Sequence, residues 1–230
     1  MRRSVTAALA LLVAACSGGT GDNEDRIESQ SSVLSEVRQS VQINRQNRDQ
    51  SLPPVTRAQL DQLTVSALEV VIETGGRSAY LAPYSTRTDT LPGQIVVWRS
   101  PDGAQIVLRD GLIIGTRALG NDLASADVSQ SLHLLRTSGT GAAHRVFYVR
   151  EDDNTQATIN AQCQVSSLGP AQIEIVERSF STVRMREVCS VGSDQIINEY
   201  WIDSGDRTVL QSRQWVGPRI GFLDLRVLKK

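Results

Sequence analysis

Residues 94–116 read QIVVWRSPDGAQIVLRDGLIIGT. Two short runs rich in Ile and Val, Gln94–Arg99 and Ala104–Arg109, flank Pro101-Asp102-Gly103. Proline presets φ for a tight turn and glycine accepts positive φ, so the stretch predicts a hairpin. Asp110-Gly111 then turns the chain into a third run, Leu112–Thr116. Three strands joined by turns this short must be antiparallel, because a parallel crossover needs a dozen residues or more.

The same grammar extends in both directions. Ala67–Glu73 ends at Gly75-Gly76, and Arg77–Thr88 is extended with a break at Pro83. Downstream, strands are predicted at His144–Glu151, Thr155–Val165, Ala171–Arg178, Thr182–Cys189, Gln195–Ile202, Thr208–Trp215 and Gly221–Leu228. Asp152-Asp153-Asn154 and Ser204-Gly205-Asp206 supply turns. In the last strand Leu223, Leu225 and Val227 face one way, Asp224 and Arg226 the other. Residues 118–141 carry Gly, Asn, Asp and Ser around one apolar cluster, Leu132–Leu135, and predict a loop with a short helix. About eleven strands without interleaved helices define a mainly β protein, an antiparallel meander closed as a barrel or folded as a sandwich.

Before Ser66 the pattern is helical. Val33, Leu34, Val37 and Val41 recur at helical spacing and predict a helix over residues 27–50 with a narrow apolar stripe. Leu52-Pro53-Pro54 breaks it, and Thr56 caps a short second helix ending at Leu63.

The first sixteen residues determine the compartment. Arg2 and Arg3 precede a mostly apolar run from Val5 to Val13, too short for a permanent membrane span. Val13-Ala14-Ala15-Cys16 resembles the bacterial lipobox, in which cleavage before the cysteine leaves its thiol carrying diacylglycerol. Acyl chains on Cys16 then anchor the protein, each buried methylene contributing about 0.8 kcal/mol. Ser17 in place of aspartate resembles the sorting signal for the outer membrane, with the domain facing the periplasm. The expected organisation is a signal peptide over 1–15, a lipidated flexible tether over 16–26, a helical segment over 27–65 and a β domain over 66–230.

The 230 residues include 24 basic and 25 acidic side chains; removing Arg2 and Arg3 leaves 22 against 25, a net of −3. No basic stripe interleaved with aromatics is present, so nucleic acid is not an expected partner. Cys163 and Cys189 fall at inward-facing strand positions, and an oxidising periplasm favours their pairing over two buried free thiols. The histidines, His133 and His144, form no metal-spaced cluster, and no cofactor is expected. No nucleophile elbow or phosphate-binding loop occurs. Of the carboxylate pairs a glycosidase would need, Asp152 and Asp153 lie in a turn, and Glu174 and Glu177 face opposite ways. The chain is therefore not expected to be an enzyme. Candidate binding residues are Trp98, Trp201 and Trp215, aromatic faces suited to sugar rings, with Arg109, Arg117 and Asp122 around a glycine-rich segment.

One family carries these features together. Trp98–Gly103, Ile106–Thr116, Leu119–Leu123, Tyr200–Asp203 and Arg207–Gln214 resemble the YjbF/GfcB family of capsule and exopolysaccharide lipoproteins. The resemblance implies an accessory, non-enzymatic lipoprotein of polysaccharide export or assembly, with glycan or co-encoded secretion proteins as partners. The competing reading is a lipid- or lipoprotein-carrying periplasmic barrel, which needs an apolar cavity and an exposed apolar insertion loop. The cluster at Leu132–Leu135 is the candidate loop, weakened by His133 and Arg136.

The anchor is testable directly. Cys16→Ser is expected to leave an uncleaved precursor without acyl label in metabolic palmitate labelling; equal label in the variant would exclude the lipobox.

Overall fold

A computed structural model of the chain describes residues 54–151 and 155–230. These residues belong to one compact unit, Gln50–Lys230. Cys16, the helix expected over 27–50 and the turn at 152–154 lie outside them.

Twelve strands and two helices form the described region. The strands are β1 (Ala67–Ile72), β2 (Arg77–Arg87), β3 (Ile95–Arg99), β4 (Gln105–Arg109), β5 (Leu112–Arg117) and β6 (Leu123–Asp127). They continue as β7 (Gly141–Arg150), β8 (Gln156–Ile175), β9 (Arg178–Val191), β10 (Asp194–Asp203), β11 (Val209–Gly217) and β12 (Gly221–Lys229). The helices are α1 (Arg57–Gln62) and α2 (Ser129–Thr137). All pairings are antiparallel, and the order is β5-β4-β3-β2-β1-β12-β11-β10-β9-β8-β7-β6. Only the β1–β12 pair joins strands distant in sequence, so one long-range pairing welds two meanders into a nearly closed barrel.

The last seam, β5 against β6, is closed by side chains. Thr116 Oγ accepts from Leu123 N at 2.9 Å and donates to Asp122 Oδ1 at 2.9 Å. A Cβ on Gly115 would stand 3.5 Å from the carbonyl oxygens of Leu123 and Ala124, an ordinary van der Waals contact across the seam. Inside the barrel, the Gln214 amide links β11 to β5. Its oxygen accepts from Ile113 N at 2.9 Å, and its nitrogen donates to the Gly111 carbonyl at 2.8 Å. Gly111 has φ +88°, and a Cβ there would meet Val209 at 2.5 Å. Only glycine fits that turn.

Three expectations are corrected. Thr155–Val165 and Ala171–Arg178 are one strand, β8, which passes Gly169-Pro170 with a bulge instead of turning. The hairpin turns instead at Val176 and Glu177, both at positive φ (43° and 63°). A β-branched residue there is strained. Arg57 compensates by donating to the Val176 and Ile175 carbonyls at 2.9 and 2.8 Å, and Val176 packs against a small core of Leu60, Ile175, Leu210 and Leu228. Finally, β6 occupies part of the loop expected over 118–141. It is short, and its burial does not alternate cleanly: Leu123 is buried, while Ser125 and Asp127, of the same parity, are exposed beyond a bulge at Leu123–Ser125.

The predicted caps are present. Thr56 and Gln59 form a capping box on α1. Helix α2 buries Ser131, Leu132 and Leu135, so the Leu132–Leu135 cluster is part of the core and not an exposed insertion loop. Cys163 and Cys189 face each other across β8 and β9 and are joined in a disulfide.

The interior also holds an ion pair. Glu187 on β9 is fully buried, and its carboxylate accepts from Arg145 Nη1 at 2.9 Å, Asn198 Nδ2 at 2.8 Å and Tyr200 Oη at 3.0 Å. Ser131 of α2 donates a further short hydrogen bond. Burial pushes the carboxyl pKa up, but the Arg145 charge and the donors outweigh it and hold it below the ordinary value. Glu187→Ala is expected to destabilise the protein by about 3–5 kcal/mol in urea denaturation, because Arg145 is left buried without its counter-ion. Replacing both by Arg145→Met and Glu187→Leu is expected to cost clearly less.

Candidate functional site

Barrel closure leaves a cavity of about 740 Å³ between β1, β12 and the start of β11 on one side and β2–β4 with α2 on the other. Its walls follow from strand alternation. Leu68, Leu225 and Val227 project inward from β1 and β12, and Val96, Trp98 and Leu108 from β3 and β4. Leu132 and Leu135 of α2 complete the apolar wall.

The charged lining residues are half-buried or exposed and so form the mouth: Asp110, Arg136, Asp206, Arg207, Lys229 and Lys230. Four of these are paired with carboxylates or cations. Arg136 meets Asp110 at 3.2 Å, and Lys230 meets Asp206 at 2.7 Å and Asp203 at 2.9 Å. The Lys230 hydrogen bond, opposed by partial burial and helped by Thr208, holds the Asp206 carboxyl down to about 2. Arg207 and Lys229 are different. Arg207 donates to the carbonyls of Arg136 (3.2 Å) and Leu135 (3.0 Å) and to Ser138 Oγ. Lys229 donates to the carbonyls of Leu60, Asp61 and Leu63 at 3.1, 3.2 and 2.5 Å.

The candidate residues read from the sequence do not converge. Trp98 lines the cavity. Arg109 projects to the outer face of β4. It forms an ion pair with Asp89 at 2.6 Å and donates to the Leu91 and Pro92 carbonyls, fixing the segment before β3. Asp122 is a turn brace, accepting from Ala118 N and Leu119 N at 2.9 and 3.1 Å as well as from Thr116. Arg117 is exposed and donates to the Thr116 and Ala124 carbonyls beside the β5–β6 seam. Trp215 packs edge-to-face on Phe147, centroids 5.0 Å apart. Trp201 points outward, since Ile196, Asn198, Tyr200 and Ile202 are the buried residues of β10. Arg184 covers its ring at 5.1 Å. The carboxylates Glu174 and Glu177 are exposed near the β8–β9 turn, away from the cavity lining.

The mouth cations and the Glu187 cluster were not singled out from the sequence. For the cluster a signal existed. Arg145 and Glu187 hold the same strand parity as Phe147 and Cys189, so each is a charge at an inward position. Nothing local marks Arg207 or Lys229, whose roles come from elements far away in the chain. Among the described residues, Cys163, Glu187 and Cys189 form one cluster with metal-ligand atoms, and the disulfide removes both thiols from it.

Fold and site thus define a twelve-stranded, nearly closed antiparallel barrel around a partly apolar, charge-rimmed cavity. The family model described as "Group 4 capsule polysaccharide lipoprotein gfcB, YjbF" matches residues 31–228, and the chain belongs to that family. It is a capsule-associated lipoprotein family, which implies a membrane-anchored place in the cell envelope. The crystal structure of the hypothetical lipoprotein YmcC from Escherichia coli (K12) has the same fold, with a TM-score of 0.66 and 22% identity over 76% of this chain and 89% of that one. No curated protein matches the sequence significantly.

The Asp89–Arg109 pair gives a pH test. Hydrogen bonds from Arg109 and Leu91 N hold the Asp89 carboxyl near 2, below its ordinary 3.8. A lowered folded pKa stabilises above the unfolded value and is lost as pH falls through the folded one. The segment over 88–94 is therefore expected to loosen between about pH 4 and pH 2. Carboxyl NMR titration of Asp89 is expected to give a midpoint near 2. In Arg109→Met the midpoint is expected to return toward 3.8.

Proposed function

We propose that this protein is a non-enzymatic accessory lipoprotein of capsule or exopolysaccharide export or assembly. It is anchored through acyl chains on Cys16 in the outer membrane, faces the periplasm, and binds glycan or a co-encoded secretion protein. The family match over residues 31–228 carries the reading. The chemistry of the site supports binding over hydrolysis. Of the two carboxylates in the cavity lining, Asp110 is bound to Gln94 N and Arg136. Asp206 is bound to Lys230 with its pKa held to about 2, far from the value a general acid needs at neutral pH. Of the three tryptophans, Trp201 is the one on the outer surface, half-buried, and is the candidate for contact with a sugar ring. Its neighbour Arg184 adds a donor beside the ring.

Deleting the gene is expected to lower surface or secreted polysaccharide several-fold while cytoplasmic synthesis continues, with restoration by the wild-type gene. Trp201→Ala is expected to fold normally and to weaken complementation. Unchanged polysaccharide in the deletion strain would overturn the proposal.

The apolar cavity also favours a second reading, a lipid or lipoprotein carrier. The burial of Leu132 and Leu135 excludes that cluster as the insertion loop which that reading requires.

A further inference from the structure

From the cavity and two cations that have no carboxylate partner among the described residues we infer that the barrel holds an anionic amphiphile, its apolar chain inside and its acidic headgroup at Arg207 and Lys229. The inference rests on the reading of the domain as a binding module and names what its cavity takes.

Three observations point there. First, one wall of the cavity is apolar. Leu68, Trp98, Leu108, Leu132, Leu135 and Leu225 are all buried and surround the space. A sugar laid against that wall would leave hydroxyls unpaired, at the full desolvation penalty, although Gln94, Thr208, Gln211 and Ser212 also line the space. An alkyl chain loses nothing there. Second, the volume of about 740 Å³ falls within the range of small-molecule sites, so the cavity is large enough for a ligand and is no packing fault.

Third, two cations of the mouth stand outside its ion pairs. Arg136 and Lys230 are matched by Asp110, Asp203 and Asp206. Arg207 and Lys229 have no ion pair with a carboxylate among the described residues, although both line the opening. Their partners are main-chain carbonyls at the ends of α2 and α1, plus the Ser138 hydroxyl. Carbonyls at helix C-termini fix the position of a cation and offset its charge only in part. Two pre-positioned cations at the rim of an apolar space match an acidic group on an apolar chain. A carboxylate, a phosphodiester or a lipid phosphate meets this description.

Photo-crosslinking tests it on the lipidated full chain in phosphatidylcholine vesicles. The probe is palmitic acid bearing a mid-chain diazirine, with its methyl ester as the neutral control. Peptide mapping reads where adducts form, which separates cavity labelling from the acyl chains on Cys16. The acid is expected to label the peptides holding Trp98, Leu108 and Leu132, about tenfold more than the ester, equivalent to about 1.4 kcal/mol of headgroup preference. Excess dipalmitoyl phosphatidylglycerol is expected to compete, and hexaguluronate, an acidic oligosaccharide without a chain, is not. Arg207→Gln with Lys229→Gln is expected to erase the preference for the acid. Both residues also brace helix ends, so Thr86→Trp, which narrows the mouth at an exposed position, serves as a second variant and is expected to block labelling without lowering the melting temperature. Absence of adducts in the cavity peptides, equal labelling by acid and ester, or competition by hexaguluronate would each overturn the inference. None of these outcomes alters the polysaccharide phenotype of the deletion strain, which tests the functional proposal separately.

Discussion

The barrel is organised around one carboxylate. Glu187 sits with no access to solvent and gathers Arg145 from β7, Asn198 and Tyr200 from β10 and Ser131 from α2. Asn198 passes the constraint on, since its oxygen accepts from Trp215 N on β11 at 2.9 Å. An ion pair in a low-dielectric interior is tolerated only when its remaining hydrogen-bonding sites are filled, so the register of all these elements is fixed together. A slip of β9 by one residue would put Glu187 on the outer face and leave Arg145 alone inside. Hydrophobic packing alone discriminates far less between neighbouring registers. Arg145 also stacks over Phe147 at 4.8 Å, which links the charged centre to the aromatic contact with Trp215.

The consequence for the cavity is indirect but physical. The Glu187 cluster fills one part of the interior and holds α2 by its first turn through Ser131. The last turn of α2 is held from the other side, by Arg207 on its carbonyls. A helix fixed at both ends forms a stable wall, and Leu132 and Leu135 present a constant apolar surface to the empty side of the barrel. The Gln214 crosslink to β5 does the same for the opposite wall, keeping Gly111 against Val209. Charge at the mouth is then a by-product of structure: the cations that brace helix ends are the ones that face the opening.

Much of this was readable in the chain. The hairpin at Pro101-Asp102-Gly103, the turn at Asp110-Gly111, the Thr56 cap and the inward parity of Cys163 and Cys189 all rest on local rules, and each is present. The errors fall where tertiary contacts overrule local preference. Pro170 stays within a strand because a bulge at Ser167–Gly169 takes up the misfit. Val176 accepts positive φ because Arg57, more than a hundred residues earlier, binds its carbonyl. Arg109 and Asp122 looked like a binding mouth from their place near glycines, yet both serve as braces for neighbouring turns. Charged residues at turns look alike in sequence whether they meet a ligand or a loop.

The sequence by itself determined most of the strands and turns, the antiparallel class and the candidate lipid anchor, because each depends on residues close together in the chain, and it carried the family resemblance in several such segments. Only the tertiary structure decided that the meander closes through β1 and β12, that α2 lines the interior, and that Arg207 and Lys229 stand at the cavity mouth without carboxylate partners among the described residues. The reason is range. Period-two alternation fixes which face a side chain takes, and tight turns fix which strands are neighbours. A cavity belongs to the pairing of the two ends of the sheet and to what each wall leaves unfilled, and no local segment encodes that.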